Sequence, residues 1–261
     1  SNVTGQVLDL DAVASMVKRH GVPLLIDAAQ SAGVIPEKLE SDQGSVSFWA
    51  ASGHKGLLGP PGIGLLYIGE GEVLNPPYRG GTGSRSESFA MPEAMPDRLE
   101  PGSPAVHLAC GVAAGVRFLQ ALPGGADFVR QHERKLSQRF LHGLAVINQA
   151  VQHHISEEVP VVDGPRGIIE VVGRPSWNLN LPAEAQQELL DGFLPVFSLR
   201  FVSAGDGQVI KRLTPDRVAQ YLDADFGMAA RPGLHCALLA HQTLGTVEHG
   251  LLRLSFGPSN S

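Results

Sequence analysis

Lys55 stands in Ser52-Gly53-His54-Lys55-Gly56, a polar turn between two short apolar runs, Val46 to Ala51 and Ile63 to Tyr67, each bounded by Gly, Pro or Ser. Runs of that length and punctuation read as strands that end in turns. The lysine therefore falls at a strand end, where side chains converge on a ligand. Between apolar walls an ammonium is costly to keep, and the free amine attacks a carbonyl carbon. The competing reading is a solvated loop lysine, the commoner fate of this residue type. Upstream, Pro23-Leu24-Leu25-Ile26-Asp27 is an apolar run closed by an acid. It predicts a buried parallel strand with Asp27 at its C-terminal end, the end at which open α/β sheets bind ligands. An aspartate there either caps the next segment or holds a protonated pyridine nitrogen. An acid for a ring nitrogen and an amine for an aldehyde are together what pyridoxal 5'-phosphate requires.

Two further groups carry chemistry. Cys236 follows His235 on a glycine-started loop with Arg231 nearby, an electropositive setting of the kind that suits a nucleophilic thiolate; the alternative is a small buried residue, as most free cysteines are. Arg253 sits in Leu251-Leu252-Arg253-Leu254-Ser255, a run that reads as a buried strand, where a cation needs an anion, either a ligand carboxylate or a core acid. Ser52 and His54 supply a hydroxyl and an imidazole beside a glycine turn, suitable donors for a phosphate and also common in loops that bind nothing.

The order of these motifs resembles the class V aminotransferase-fold family, and within it the cysteine desulfurases and selenocysteine lyases. The resemblance rests on Asp27-Ala28-Ala29-Gln30, on Ser52 to Gly64, on Arg79-Gly80-Gly81-Thr82-Gly83-Ser84, on Arg98 to Pro104, on Arg231 to Ala237 and on Leu252 to Ser255. The stretch from about Pro160 to Lys211 matches loosely. The resemblance implies a fold type I protein: a parallel-sheet large domain occupying 1–149, its N-terminal part outside this sequence, and a small α+β C-terminal domain over 150–261. It implies pyridoxal 5'-phosphate held by Lys55, with Asp27 at the ring nitrogen, Gln30 at the phenolic oxygen, and Ser52, His54 and Ser103 at the phosphate, Ser103 toward a second subunit. Asn2, Arg231 and Arg253 fall where the family meets the substrate amino acid, and Cys236 where desulfurases take sulfur as a persulfide. The implied reaction removes sulfur from L-cysteine to give alanine, in a homodimer with a protein sulfur acceptor. A class V aminotransferase, a selenocysteine lyase and a catalytically silent dimerisation scaffold are the alternatives. The phosphate-gripping loop and the ring that stacks on the cofactor belong to the N-terminal part.

The elements that must position these groups read as follows. Asp9 to His20 carries Leu10, Val13, Met16 and Val17 at helical spacing and stops at Gly21, so a helix leads into the Asp27 strand in a βα repeat. Gly69 to Pro104 lacks periodicity and reads as a long loop. Two helices follow over Ala105 to Ala150, broken at Leu122-Pro123-Gly124-Gly125, with Cys110 as a packed thiol in the first and the domain boundary near Gln149. Beyond, Gly167 to Val172, Trp177 to Leu181 and Val196 to Ser203 have strand character, and Ala183 to Phe193 and Thr214 to Leu222 are helical.

With 261 residues, 43% hydrophobic and 18% charged, the chain is long enough for one or two cores. A net charge of -6 with no basic block argues against a nucleic-acid partner. No run reaches the roughly 18 apolar residues of a membrane helix and no leader opens the chain, so a cytoplasmic protein without a membrane partner is expected. Two cysteines make no disulfide framework, and no Cys/His spacing suggests a metal.

Overall fold

The computed structural model describes all residues except 37–38, 42–43, 86, 157–166 and 178. Contacts divide the chain into two compact units, one over Asp9–Phe128 and one formed by Ser1–Leu8 together with Val129–Ser261. They are called here the lysine unit and the cysteine unit.

The lysine unit opens with α1 (Leu10–His20), which stops at Gly21 as read and takes Asp9, expected inside the helix, as its N-cap. Asp9 Oδ1 accepts from Ala12 N at 3.0 Å, and Gly21 ends the helix in the left-handed region at φ 61°. There follow β1 (Leu25–Asp27), a two-residue pair β2 (Glu40–Ser41) and β3 (Gly44–Ser45), β4 (Phe48–Ser52) and β5 (Gly64–Ile68). β1 runs parallel to β4, with Asp27 opposite Ala50, and β5 is antiparallel to β4, with Ser52 opposite Gly64. The expected strand at Asp27 is thus present and parallel, but of its three residues only Ile26 is buried and Leu25 is 59% exposed. β1 is an edge of the sheet described, so it is covered from one side. Residues 69–105 hold no helix or strand among those described, as the missing periodicity predicts.

α2 (Val106–Ala121) buries one stripe, Val112, Gly115 and Leu119. Cys110, expected to be a packed core thiol, is exposed. It lies two residues before Val112, roughly opposite the buried stripe on a helix of about 3.6 residues per turn. The apolar composition of this helix hid which of its faces packs.

α3 (Ala126–Ser156) begins the body of the cysteine unit, followed by β6 (Gly167–Val171), α4 (Ala183–Asp191), β7 (Val196–Ser203), α5 (Pro215–Phe226), β8 (Arg231–Gly233), α6 (Leu238–Thr243) and β9 (Leu251–Ser255). The sheet order is β6-β7-β9-β8, antiparallel throughout. β7 is central and carries Phe197 fully buried among Leu141, Leu144, Leu199 and Leu252, with the Phe140 and Phe256 rings 4.8 and 5.7 Å from it. Because Leu141 and Leu144 of α3 pack into this core, the contact division falls at 128/129 and not near Gln149. Trp177 to Leu181, expected as a strand, is turn and coil in its described residues, and Asn178 lies outside them. Among the described residues no single helix is long and apolar enough to cross a membrane.

Glu133 on α3 is 2% exposed, and its Oε2 has no hydrogen-bond partner among the described residues. Burial pushes its pKa up to about 7 against a pull downward from Arg130. The folded chain therefore favours the neutral acid, so this stabilising contribution is full below the unfolded pKa near 4.5 and disappears as pH rises through about 7. The expected loss is about 3 kcal/mol between pH 4 and 8. Subtracting the urea-unfolding pH profile of Glu133→Gln from that of the unsubstituted chain isolates it, and a flat difference would remove the assignment.

Candidate functional site

In the lysine unit, the C-terminal ends of β1 and β4 bring Asp27, Gln30 and Ser52 to Lys55 to one edge. Asp27 closes β1, and Ser52 closes β4 two residues past Asp27's partner Ala50. Asp27 is exposed and its Oδ1 accepts from Ala29 N at 3.0 Å, the local capping bond foreseen as its simpler role, while the carboxylate remains accessible. Gln30 is half-buried in the turn after β1. Ser52 Oγ and His54 Nδ1 lie 3.1 Å apart, so hydroxyl and imidazole share one hydrogen bond. Lys55 is exposed, and the apolar walls anticipated for it are not formed by this unit: β4 ends at Ser52, before the turn, and β5 begins only at Gly64, after it. Ser103 is exposed in the loop before α2 and makes no hydrogen bond to this group among the described residues.

The turn that carries Lys55 is held by close backbone approaches. Gly53 N donates to Ile63 O at 3.0 Å, Gly59 N to Gly53 O at 2.8 Å, and Leu58 N to Lys55 O at 2.9 Å, with Leu58 in the left-handed region at φ 59°. A Cβ on Gly33 would collide with the carbonyl of Gly56, one on Gly56 with that of Ala32, and one on Gly115 with that of Leu57. The loop after β1 and the small-residue face of α2 therefore press directly on the lysine turn, which only glycine permits. Gly33, Gly56 and Gly115 are positioning residues that sequence reasoning passed over; the signal was the small-residue spacing of α2 and the glycine following Lys55. An accessible amine and acid, a hydroxyl and an imidazole at one strand edge, on a turn fixed by backbone contact, suit a phosphorylated pyridine aldehyde.

In the cysteine unit, β8, the turn after it and β9 collect the remaining candidates. Arg231 of β8 lies opposite Arg253 of β9 in the antiparallel pairing. Like charges placed so are unfavourable without an anion. Arg253 has its pKa lowered, first by burial and then by Arg231, with Cys236 pulling the other way. Its Nη1 donates to Asn2 O at 3.0 Å, and Asn2 Nδ2 donates to His235 O at 2.7 Å. Arg231 Nη2 donates to Cys236 Sγ at 3.0 Å, and Cys236 is exposed. Asn2, Arg231, Arg253 and Cys236 are thus brought together, and the buried acid that would have neutralised Arg253 structurally is absent from its described contacts. Two opposed guanidinium groups beside a thiol can take a carboxylate and present a sulfur nucleophile to the same molecule.

His235 and Cys236 both occupy the left-handed region, at φ 53° and 59°. Two successive residues with side chains there cost of order 1–3 kcal/mol each and persist only where surrounding bonds over-determine them. Those bonds come from Asn2, from Arg231, and from His235 Nε2 to Arg231 O at 3.0 Å.

Asn2 reaches the turn because Ser1–Leu8 is stitched into the cysteine unit. Leu194 N donates to Gly5 O at 2.7 Å, Val7 N to Gly192 O at 2.9 Å and Ser198 Oγ to Val3 O at 2.6 Å. Arg174 adds Nε to Thr4 O at 3.1 Å, and its Nη2 donates to Leu194 O and to Val196 O.

The Aminotransferase class-V family profile matches residues 1–159. A probable cysteine desulfurase of Pyrococcus abyssi is 31% identical over all of this chain and 54% of its own length. Probable cysteine desulfurase 2 of Mycobacterium leprae is 33% identical over 93% of this chain and 48% of its own. Among solved structures, the apo cysteine desulfurase from Thermococcus onnurineus NA1 covers all of this chain and 54% of its own length, with TM-score 0.68 and 27% identity. The chain spans about half the length of the curated relatives it matches. The family is pyridoxal-phosphate dependent and of fold type I, and the α/β lysine unit and the antiparallel α+β cysteine unit agree with that fold. The chain belongs to the class V aminotransferase family.

Proposed function

We propose that this chain is the part of a pyridoxal-phosphate-dependent cysteine desulfurase that carries both the cofactor-binding lysine and the sulfur-accepting cysteine. The observation that carries the reading is the exposed Cys236 Sγ held 3.0 Å from Arg231 Nη2 in a turn fixed at positive φ beside Arg253. An aminotransferase has no use for a thiol so held.

When bound, the cofactor supplies an electron sink for the substrate's α-carbon. Lys55 would hold its aldehyde, remove the α-proton of L-cysteine and later return a proton; Asp27 would keep the ring nitrogen protonated; Ser52 and His54 would hold the phosphate and Gln30 the phenolic oxygen. Arg253 and Arg231 orient the substrate carboxylate, with Asn2 bracing Arg253. Cys236 Sγ, as thiolate, attacks the substrate sulfur. A sulfur–sulfur bond forms, the substrate's carbon–sulfur bond breaks, and its electron pair stays with the carbon skeleton, which takes up a proton and leaves as alanine. The persulfide then passes to an acceptor. Ser103 completes the phosphate site of a second subunit in a homodimer.

Exposure of the PLP-loaded protein to L-cysteine, followed by mass spectrometry, is expected to show one added sulfur on Cys236 and none on Cys110. Alanine formation with no sulfur on Cys236 would remove Cys236 from the mechanism, and amine transfer without alanine would replace the desulfurase reading by an aminotransferase.

A further inference from the structure

The Cys236 turn contains one buried imidazole, which packs against a second, and the proposed chemistry uses neither. His235 is 2% exposed and His241, on α6, fully buried, with ring centroids 5.4 Å apart at 48°. Each has one nitrogen with a partner and one without among the described residues. His235 Nε2 lies 3.0 Å from Arg231 O, and a carbonyl only accepts, so Nε2 carries the proton and Nδ1 of the neutral ring is a bare acceptor. His241 Nδ1 lies 2.8 Å from Thr246 Oγ1. The hydroxyl's other acceptor, His241 O, is at 3.5 Å, the outer limit of a bond. Taken as donating along the shorter of its two contacts, Thr246 leaves His241 to carry its proton on Nε2, the nitrogen that lacks a partner. One orphan is a donor and the other an acceptor, on adjacent buried rings. Leaving either unmet is costly, and a single-water bridge satisfies both.

We propose that His241 is a positioning residue for the Cys236 turn. Its Nε2–H reaches His235 Nδ1 through one internal water, completing a chain from Thr246 Oγ1–H through His241 and His235 to Arg231 O. The chain fixes the His235 ring that, with Asn2 and Arg231, holds two successive residues at positive φ. The His235 ring stays neutral in this arrangement. Burial first, and after it the cations Arg253 and Arg231, hold the His235 pKa at about 4 against the bond to Arg231 O. The inference rests on the proposed role of Cys236 only for its bearing on turnover, and none of its tests needs cofactor or substrate, so the two readings can fail separately.

Two-bond proton–nitrogen spectra of the chain with nitrogen-15 histidine, at pH 7, are expected to show His235 and His241 both as the neutral Nε2–H form. In Thr246→Val the His241 proton moves toward Nδ1. The amide of Ala237, which donates to Leu234 O at 2.9 Å across the turn, reports its integrity. Its exchange is expected to rise about tenfold in His241→Leu and to stay within about twofold of the unsubstituted rate in His241→Gln, whose amide restores a donor near the Nε2 position. A proton on His241 Nδ1 in the unsubstituted chain, or unchanged Ala237 exchange in His241→Leu, overturns the proposal. Should His241→Leu not fold, the unsubstituted spectrum and Thr246→Val decide it alone.

Discussion

Lys55→Ala is expected to abolish covalent retention of the cofactor after borohydride reduction and to lower turnover by at least about a thousandfold. The amine is exposed on a turn whose shape is set by backbone contacts of Gly33, Gly56 and Gly115, so its removal leaves the scaffold standing. Of the other described lysines, Lys18 and Lys135 lie on helices and Lys211 on a turn of the cysteine unit; none stands at the edge where Asp27 and Ser52 end their strands. A reduced adduct that keeps the cofactor's mass in the variant would move the attachment elsewhere. Asp27→Asn makes a companion test. The amide oxygen retains the bond from Ala29 N, so the fold is preserved while the charge that keeps the ring nitrogen protonated is gone. Normal turnover in Asp27→Asn would leave Asp27 as a cap only.

Arg174→Ala is expected to destabilise the chain by about 3 kcal/mol and to loosen the Cys236 turn at the same time. The guanidinium donates to Thr4 O, Leu194 O and Val196 O, and lies 4.4 Å from the centroids of both the Phe193 and Phe197 rings. Each hydrogen bond from a charged donor contributes about 1.5–3 kcal/mol and the ring contacts about 0.5–2. Burial works against them, drawing the Arg174 pKa down to about 9. The net therefore falls well below the sum. Arg174→Met, which fills the space between the rings, should cost about half as much. Urea unfolding measures both, and a change below about 0.5 kcal/mol for Arg174→Ala would show that the segment around Thr4 is held without it.

What could be read from the sequence was what is local. The stop of α1 at Gly21, the break between α2 and α3 at Leu122 to Gly125, and β7 over Val196–Ser203 each follow from residues within a few positions of one another. The lysine turn was legible for the same reason. The exposure of Cys110 and of Lys55 was not, because periodicity and punctuation say where an element runs but not what faces it. β8 was hidden, since Arg231-Pro232-Gly233 has no strand composition and exists by pairing with Leu251 to Arg253. The bond from Arg253 to Asn2, 251 positions away, has no trace in any window of sequence. His241 and Thr246 passed unnoticed because a buried imidazole and a hydroxyl have no signature until the rings are seen side by side.

The division of the chain gives its two units different histories during synthesis. The lysine unit is a single uninterrupted stretch, 9–128, and every contact of its core becomes available while the ribosome is still translating α3. The cysteine unit holds Ser1–Leu8, the first residues to emerge of those here, against β7 and β9, which are among the last. Its closing loop spans nearly the whole chain, so the entropy of bringing its ends together is met late. Residues 1–8 must wait unpaired while 120 residues fold behind them. Within this stretch the thiol turn braced by Asn2 consequently closes late, and the nucleophile is assembled only after the contacts of the lysine edge have become available.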